Sequence, residues 1–293
     1  MTLFESISTI RNQLQQWRQA GLRVAFVPTM GNLHAGHLSL VDIAQQHADK
    51  VVVSIFVNPM QFGPNEDYDQ YPRTFEADKA ALEQKSVDAL FFPSVSEMYP
   101  STELDSKVVA PVALTSILEG VRRPGHFDGV TTVVAKLFQI VQPDIAVFGQ
   151  KDYQQFAVIQ SMVESLFMPI ELIRAEIVRD TDGLALSSRN QYLTQSQRKI
   201  APKLSHALEG IEAKMTIGNH DYNSLCQDAH QTLLKQGFDE VDYIEIRDAK
   251  TLMPVTELNG GRSLVILGVA RTGSVRLLDN RLYTQTLTRR DEG

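Results

Sequence analysis

The sequence predicts an α/β protein with a parallel sheet, followed by a second, smaller α+β domain. Three observations support this prediction: short β-rich apolar runs alternate with helical periodicity, glycine-containing turns follow two of those runs, and the pattern changes near residue 178. Alternating strands and helices imply right-handed crossovers and a parallel sheet. Such sheets bind ligands outside the carboxyl ends of their strands. We therefore expect one domain over 1–178 and another over 179–293.

The first half of the chain supplies the opening elements of this sheet. The N-terminal residues repeat apolar side chains at helical spacing and stop at Gly21, which is typical of a residue just past a helix. The run LRVAFVPT then predicts a buried strand, HLSLVDIAQQHA a helix, and VVVSIFVN a second buried strand. A loop rich in Pro, Asn, Asp and Gly extends from Pro59 to Pro72. A charged helix and the strand ALFFP follow.

Predicted strands and helices continue to alternate until the pattern changes near residue 178. A turn at Pro124 and Gly125 precedes a helix that we expect to begin near Val130, and DIAVFG predicts another buried strand. The helix YQQFAVIQSMVESLF then places four apolar side chains inward: Phe156, Ile159, Val163 and Phe167. The run IELIRAEIV closes this domain.

Beyond residue 178 the polar loop RDTDGLALSSRN leads into the second domain. Thr194 and Gln197 form a capping-box signature for the next helix. Two helical stretches follow, and then the strands VDYIEIRD, SLVILGVAR and VRLLDNRLY, which are joined by Gly- and Asn-containing turns.

Composition narrows the functional class. The chain has 293 residues, of which 43% are hydrophobic and 22% charged, as in soluble globular proteins. A net charge of −7 argues against a nucleic-acid partner, because such surfaces usually carry a basic excess. The lone Cys226 fits a reducing cytoplasm. We predict neither a secretory leader nor a membrane span.

The stretch PTMGNLHAGH places two glycines and two histidines between the first strand and its helix. Glycines allow a sharp turn and close approach to a ligand, and the unpaired N–H groups at a helix start favour an anion such as phosphate. His34 and His37 add donors that are neutral or charged near pH 7. Two alternatives remain open from spacing alone: a zinc site, for which no partner cluster is visible, and two solvated loop histidines.

Two further stretches are compatible with phosphate chemistry. In FGQKDYQQ, Lys151 is expected at a helix start, and Asp152 could bind a ribose hydroxyl or cap the helix. In LSSRN, two hydroxyls and a guanidinium could clamp a triphosphate. A solvated lysine and a simple capping loop with an exposed arginine are the respective alternatives.

Read together, these motifs carry a family resemblance. HAGH resembles the HxGH signature of the nucleotidylyl-transferase superfamily and of class I aminoacyl-tRNA synthetases. Five blocks occur in order: PTMGNLHAGH, FVNPMQFGPNEDYDQYPRT, RPGHFDGVTTVV, FGQKDYQQ and LSSRNQYL. Together they resemble the pantothenate synthetase (pantoate–β-alanine ligase) family over nearly the whole chain. The resemblance implies a Rossmann-like, doubly wound sheet with a smaller lid domain, the ligands ATP, Mg²⁺, pantoate and β-alanine, and a homodimer.

The resemblance also implies roles for individual residues. Those expected to contact ATP are Pro28, Thr29, Met30, Gly31, His34, His37, Phe148, Gly149, Lys151, Asp152, Val178, Leu186, Ser187, Ser188 and Arg189. Those expected to contact pantoate are Met30, Asn58, Gln61 and Gln155. Those expected to stabilise phosphate charge during catalysis are His34, His37, Lys151, Ser187, Ser188 and Arg189. Leu186 stands where the family usually has Met, a change of similar volume.

Two questions remain open at the level of sequence. Neutral amides at Asn58 and Gln61 suit a substrate with hydroxyls and a carboxylate, although a turn that merely ends a strand is the alternative. Arg123 and His126 could face the cleft or the dimer contact. The ligands of Mg²⁺ are unassigned, with three acidic side chains as possible helpers: Asp67, Asp69 and Asp78.

The function expected from the sequence is ATP-dependent condensation of pantoate with β-alanine through pantoyl adenylate, releasing pyrophosphate and AMP. The carboxylate nucleophile is already ionised at neutral pH, which explains why no catalytic base is obvious for the first step. An aminoacyl-tRNA synthetase and a non-catalytic nucleotide sensor are the alternatives.

Overall fold

A computed structural model describes residues 1–64, 66, 68–101, 105–255 and 263–284. The chain forms two compact units, Met1–Ile177 and Val178–Gly293. Val178 thus falls in the second unit, whereas the sequence prediction placed it at the end of the first.

The first unit contains a six-stranded sheet. Its strands are β1 (Thr2–Phe4), β2 (Val24–Thr29), β3 (Lys50–Ile55), β4 (Ala89–Phe91), β5 (Ile145–Gly149) and β6 (Glu171–Ala175). Their order is β1-β4-β3-β2-β5-β6, and every pair is parallel. The prediction of an α/β fold with a parallel sheet is confirmed.

Eight α-helices of the first unit lie within the described residues. They are α1 (Ile7–Gln19), α2 (Ala35–His47), α3 (Phe75–Gln84), α4 (Val95–Met98), α5 (Val112–Thr115), α6 (Glu119–Arg122), α7 (His126–Val141) and α8 (Tyr153–Ser165). A single 3₁₀ turn spans Pro59–Gln61 after β3.

The helices cover both faces of the sheet, because successive strand residues point to opposite sides. Along β2, Val24 and Phe26 pack in a core with α1, α7 and α8. Ala25 and Val27 pack in a second core with α2 and α3. The sheet is therefore doubly wound.

The order of the strands also defines a topological switch point, which lies between β2 and β5. From β2 the chain proceeds outward through β3 to β4, and β5 then pairs with the opposite side of β2. The loops after β2 and β5 leave the sheet at neighbouring carboxyl ends, where doubly wound sheets bind ligands. The loop after β2 runs from Met30 to His34, the first residue of HAGH, and the loop after β5 runs from Gln150 to Asp152.

Three details differ from the sequence prediction. Residues 2–4 form an edge strand paired with β4, although their spacing predicts the start of a helix. Helix α7 begins at His126, four residues before Val130, because Gly125 turns the chain there with φ +80°. Phe167 is 91% exposed, since α8 ends at Ser165 and Phe167 adopts a left-handed φ of +51°.

In its described residues, the second unit combines three α-helices with an antiparallel sheet. The helices are α9 (Gln195–Ile200), α10 (Lys203–Thr216) and α11 (Tyr222–Lys235), and the strands are β7 (Glu240–Asp248), β8 (Ser263–Thr272) and β9 (Val275–Thr284). The sheet order is β7-β8-β9. The capping box of Thr194 and Gln197 is confirmed at the start of α9.

Cys226 packs at the edge of the core of this unit. Burial raises the pKa of its thiol to about 11, so the thiol is protonated at neutral pH and is a poor nucleophile. Within the described part of the chain, no helix combines the length and apolar character needed to cross a membrane.

Candidate active site

The turn after β2 is shaped by a glycine and a buried carboxylate. Gly31 has φ +82°, and a Cβ at this position would lie 3.0 Å from Ile55 Cγ2 and 3.1 Å from Asp78 Oδ2. The backbone N–H groups of Asn32 and Leu33 each donate to Asp78 at 2.8 Å. This carboxylate therefore anchors the turn that carries the two histidines.

The sequence offers Asp78 as a possible helper for Mg²⁺, and the structure gives it a different role. It is 3% exposed, and besides the two backbone groups it accepts a hydrogen bond from Thr74 Oγ1 at 3.1 Å. With its oxygens engaged by the protein, it is a structural anchor. Of the other two carboxylates, Asp69 is exposed and Asp67 lies outside the described residues.

His34 is the N-cap of helix α2 and His37 is the third residue of that helix, and their hydrogen bonds define their tautomers. His34 Nδ1 accepts from the N–H of Gly36 at 3.1 Å, and His37 Nδ1 accepts from the N–H of His34 at 3.4 Å. An Nδ1 atom that accepts carries no hydrogen, so each neutral ring is protonated at Nε2. The Nε2–H groups are the donors available to a ligand.

Electrostatics keep both rings neutral near pH 7. Burial, followed by the charge of Lys151, lowers the pKa of His34 to about 4. Burial and then the neighbouring His34 lower the pKa of His37 to about 3. The ring centroids lie 4.1 Å apart. The charged alternative left open by the sequence is therefore disfavoured, and the pair acts by hydrogen bonding.

The geometry does not favour the zinc alternative. Among the described residues, no three His, Cys, Asp or Glu side chains form a group that could hold a metal ion. A zinc site needs at least three protein ligands, and the two Nδ1 atoms are already engaged with backbone N–H groups.

The loop after β5 contributes a cation to the same carboxyl edge of the sheet. Lys151 is half-buried and lies two residues before α8, slightly earlier than the helix start predicted for it. Asp152 occupies the N-cap position without a side-chain capping bond, which removes the capping alternative. The side chain of Phe148 packs in the core, with its ring centroid 6.3 Å from that of Phe138. Only the main chain of Phe148 can therefore line the predicted ATP site.

Gln61 ends the 3₁₀ turn after β3, and its amide is oriented by protein contacts. Its Nε2 donates to Met30 Sδ at 2.9 Å, and its Oε1 accepts from Asn58 Nδ2 at 3.2 Å. Each amide atom retains capacity for one more hydrogen bond. Met30 and Gln61, both predicted to contact pantoate, are thus brought together, whereas nothing in the described contacts joins Gln155 in α8 to them.

Asn58 has a different position from the one expected. It is 1% exposed, and besides Gln61 it donates to the carbonyl of Gly129 at 3.1 Å. Its Oδ1 accepts from Tyr99 Oη at 2.8 Å and from the N–H of Met60 at 3.3 Å. All four hydrogen-bonding positions of the amide are filled, so the predicted role of Asn58 changes from a direct pantoate ligand to a residue that orients Gln61.

Two residues of this network were missed at the level of sequence. A Cβ on Gly129 would lie 2.3 Å from the carbonyl oxygen of Met60, so this glycine lets α7 approach the 3₁₀ turn. Burial raises the pKa of Tyr99, which keeps its hydroxyl as a donor to Asn58. The glycine in HFDGV was visible as a signal, but the partner it approaches lies in a distant segment of the chain.

The remaining predicted residues lie in the second unit. The N–H of Leu186 donates to the carbonyl of Val178 at 2.9 Å, which closes the polar loop at its base. Ser187 caps the 3₁₀ turn Ser188–Tyr192 by accepting from the N–H of Arg189 at 3.3 Å. The side chain of Arg189 is exposed. The two interpretations of LSSRN, as a cap and as a clamp, are thus compatible, since a cap can hold the loop in shape for a ligand.

A partly buried ion pair supports the base of this loop. Arg179 donates to both carboxylate oxygens of Asp279 at 2.6 and 2.8 Å, and also to Ser205 Oγ at 3.0 Å. Asp279 is 3% exposed. The pairing partner of Arg179 is 100 positions away, so nothing local in the sequence indicated it.

A glycine turn with paired donors at the switch point of a doubly wound sheet defines an α/β nucleotide-binding protein of the HxGH type. The sequence profile of the Pantoate-beta-alanine ligase family matches residues 2–282. The chain belongs to this family.

Individual relatives agree with this assignment. The chain is 62% identical to a pantothenate synthetase of Hydrogenovibrio crunogenus over 97% of this chain and 100% of the relative. It is 51% identical to that of Aeromonas hydrophila, over 97% of this chain and 99% of the relative.

Two crystal structures share the fold. The pantothenate synthetase of Thermus thermophilus has a TM-score of 0.86 and 42% identity, with 96% of this chain and 99% of that chain covered. A pantoate–β-alanine ligase of Francisella tularensis, complexed with β,γ-ATP and β-alanine, has a TM-score of 0.80 and 35% identity, with 96% and 97% covered.

Proposed function

We propose that the chain joins pantoate to β-alanine in an ATP-dependent reaction, through a pantoyl-adenylate intermediate. The observation that carries this proposal is the pair of neutral histidines at the start of α2, with Nε2–H donors at the switch point of the sheet. Family membership supplies the substrates. The ATP and β-alanine of the Francisella tularensis complex support the same assignment.

In the first step the pantoate carboxylate attacks the α-phosphorus of ATP, and pyrophosphate leaves. Charge develops on the phosphate oxygens, where the Nε2–H groups of His34 and His37 donate hydrogen bonds and Lys151 supplies positive charge. Donors arranged before the reaction stabilise such charge without reorganisation. Gln61 binds pantoate through its two remaining hydrogen-bonding positions, and a neutral amide leaves the negative charge on the attacking oxygen.

In the second step the neutral amine of β-alanine attacks the activated carbonyl, AMP leaves with the electron pair of the broken C–O bond, and the nitrogen releases one proton to water as the amide forms. Positioning of the amine and the carbonyl accounts for much of the rate, because the two reactants are held together. An acyl adenylate is sensitive to water. We infer that the second unit acts as a lid whose Ser187, Ser188 and Arg189 close over the phosphates.

Mg²⁺ is part of the proposal as a companion of ATP. Since the described residues offer no cluster of acidic or imidazole ligands, the protein provides no cage for the ion within them. Magnesium commonly binds through substrate phosphates with few protein ligands, so the triphosphate would carry it and it would neutralise phosphate charge.

Pyrophosphate exchange into ATP tests the proposal. With pantoate present and β-alanine absent, the ligase reaction predicts exchange, because the first step is reversible without the second substrate. An aminoacyl-tRNA synthetase would require its amino acid instead, and a nucleotide sensor would not exchange under any condition. Absence of pantoate-dependent exchange would therefore refute the proposal.

Two broader expectations belong with this function. We infer that the enzyme works in the cytoplasm, because the chain has a single cysteine and so no intrachain disulfide, which fits a reducing compartment. We also expect a homodimer, as the family resemblance implies. Light scattering on the purified chain measures its molar mass in solution and so tests whether it is a homodimer.

A further inference from the structure

A cluster of three side chains holds the main chain of Gln61, and we call Glu66, Arg123 and His126 the Gln61 clamp. His126 Nδ1 donates to the carbonyl of Gln61 at 2.8 Å, and Arg123 Nη2 lies 3.4 Å from the same oxygen. Arg123 Nη1 donates to His126 Nε2 at 3.0 Å. Arg123 also forms two bonds with Glu66, at 2.7 and 2.6 Å.

The partners of His126 determine its tautomer from both sides. A backbone carbonyl can only accept, so Nδ1 must carry the hydrogen. A guanidinium can only donate, so Nε2 must be bare. This is the opposite tautomer from that of His34 and His37, whose Nδ1 atoms accept from backbone N–H groups.

We propose that His126 is a positioning residue for the pantoate site: as a neutral Nδ1–H imidazole, oriented by Arg123, it fixes the main chain of Gln61. The inference rests on the proposed role of Gln61 in binding pantoate. Asn58 holds the side-chain amide of Gln61 from one side, and His126 holds its backbone from the other.

The clamp is needed because the turn itself is short. Gln61 is the last residue of a three-residue 3₁₀ turn, and such turns have poor hydrogen-bond geometry of their own. The bond from the N–H of Gln61 to the carbonyl of Asn58 is long, at 3.5 Å. The orientation of Gln61 therefore depends on contacts from outside the turn.

The charges around His126 favour the neutral ring. Burial, and then the positive charge of Arg123, lower the pKa of His126 to about 4, against smaller opposing effects of the Gln61 carbonyl, Glu66 and Asp152. Burial, the largest single effect, raises the pKa of Glu66, but the hydrogen bonds and the positive charge of Arg123, together with the N–H of Gly63, hold that pKa below its usual value. Arg123 and Glu66 thus neutralise each other beside an uncharged imidazole.

Two substitutions separate the donor from the acceptor of the ring. In His126→Asn the side-chain amide can occupy the position of Nδ1 and still donate to Gln61. In His126→Gln the amide reaches the position of Nε2 and the donor to Gln61 is lost. We expect His126→Gln to raise the KM for pantoate by roughly five- to tenfold, because one buried hydrogen bond is lost. The KM for ATP should change less than about twofold in the same variant. His126→Asn, which keeps the donor, should retain most of the pantoate affinity.

The matched control is His220→Asn, an exposed histidine of the second unit, which should leave both KM values unchanged. Equal increases of the two KM values in His126→Gln would show a general structural role and overturn the proposal. Failure of His126→Asn to restore pantoate affinity would do the same.

A spectroscopic measurement tests the tautomer without any substrate. Long-range ¹H–¹⁵N spectra of the full-length chain labelled at histidine should show an Nδ1–H ring that does not titrate above about pH 5, assigned by its disappearance in His126→Asn. An Nε2–H ring, or titration near the ordinary value of about pH 6.5, would refute the His126–Gln61 contact. Missing pyrophosphate exchange in the unsubstituted enzyme would instead refute the proposed function and leave the tautomer result standing.

Discussion

Replacement of Asp78 by asparagine tests how the turn between β2 and α2 is held. The two carboxylate oxygens accept the N–H groups of Asn32 and Leu33, at 2.8 Å each. Asparagine offers one oxygen and one NH₂ group, so one backbone N–H would face a donor. Loss of a hydrogen bond to a charged group costs about 1.5–3 kcal/mol, and an unsatisfied buried N–H costs about 1–3 kcal/mol.

We therefore expect Asp78→Asn to lower the free energy of unfolding by about 3 kcal/mol. At roughly 2–4 °C per kcal/mol for a unit of this size, the midpoint of thermal unfolding should fall by roughly 6–12 °C. Because the turn positions His34 and His37, kcat/KM for ATP should also fall, by roughly 10- to 100-fold. The Mg²⁺ concentration for half-maximal activity should not change.

Thermal unfolding followed by circular dichroism and a Mg²⁺ titration of activity measure these quantities. Asp69→Asn is the matched control, because Asp69 is an exposed carboxylate in the preceding loop. If Asp78→Asn retained its stability and required more Mg²⁺, Asp78 would be a ligand of the ion and the anchoring argument would be wrong.

Four further predictions follow from the site. Gln61→Glu should weaken pantoate far more than ATP, because a new carboxylate would repel the substrate carboxylate in a partly desolvated site; separate calorimetric titrations decide, and equal losses would contradict the assignment. Lys151→Ala should slow adenylate formation by about 10²–10³ while preformed pantoyl adenylate still reacts with β-alanine. Rapid-quench measurement of each half-reaction checks this, and a wild-type adenylation rate would remove Lys151 from the phosphate site. Gly129→Ala should cost roughly 1–3 kcal/mol and raise the KM for pantoate, because its Cβ would meet the Met60 carbonyl at 2.3 Å; Gly210→Ala, with no atom within 4 Å, is the control and should be neutral or stabilising. Finally, the folded pKa of about 4 for His126, against an ordinary 6.5, means that the unfolded chain binds more protons between these values. The contribution of neutral His126 to the free energy of unfolding should be fully present above about pH 6.5 and should fall by up to about 3 kcal/mol as the pH drops to about 4. Denaturant unfolding measures this, and the free energy of unfolding of His126→Asn should fall less over the same pH range.

The sequence was informative where a local pattern maps directly onto local structure. The apolar runs predicted β2, β3 and β5 because a strand covered on both faces needs side chains of one kind throughout. The capping box at Thr194 was predicted because a cap involves residues only three positions apart. The stretch PTMGNLHAGH was recognised for the same reason, since its two glycines and two histidines all lie between Gly31 and His37.

The sequence was less informative where contacts with another segment, or the point at which a helix ends, override the local pattern. Residues 2–4 follow a helical pattern, but pairing with β4 draws them into the sheet as an edge strand. Phe167 continues the apolar spacing of α8, but the helix ends two residues earlier and the ring is exposed. A periodic pattern does not indicate where a helix stops unless a capping residue is present.

By itself, the sequence determined the class of fold, the order of its main strands and helices, and the family with its substrates. Only the tertiary structure decided how the site residues are held. Asp78 accepts hydrogen bonds from the turn between β2 and α2, Asn58 donates to the side chain of Gln61, and His126 donates to the carbonyl of Gln61. The physical reason is that a hydrogen bond depends on position in space, and these partners are separated by up to 65 positions in the chain. Burial likewise comes from packing of distant segments, so the neutrality of the three site histidines became visible only once the chain was folded.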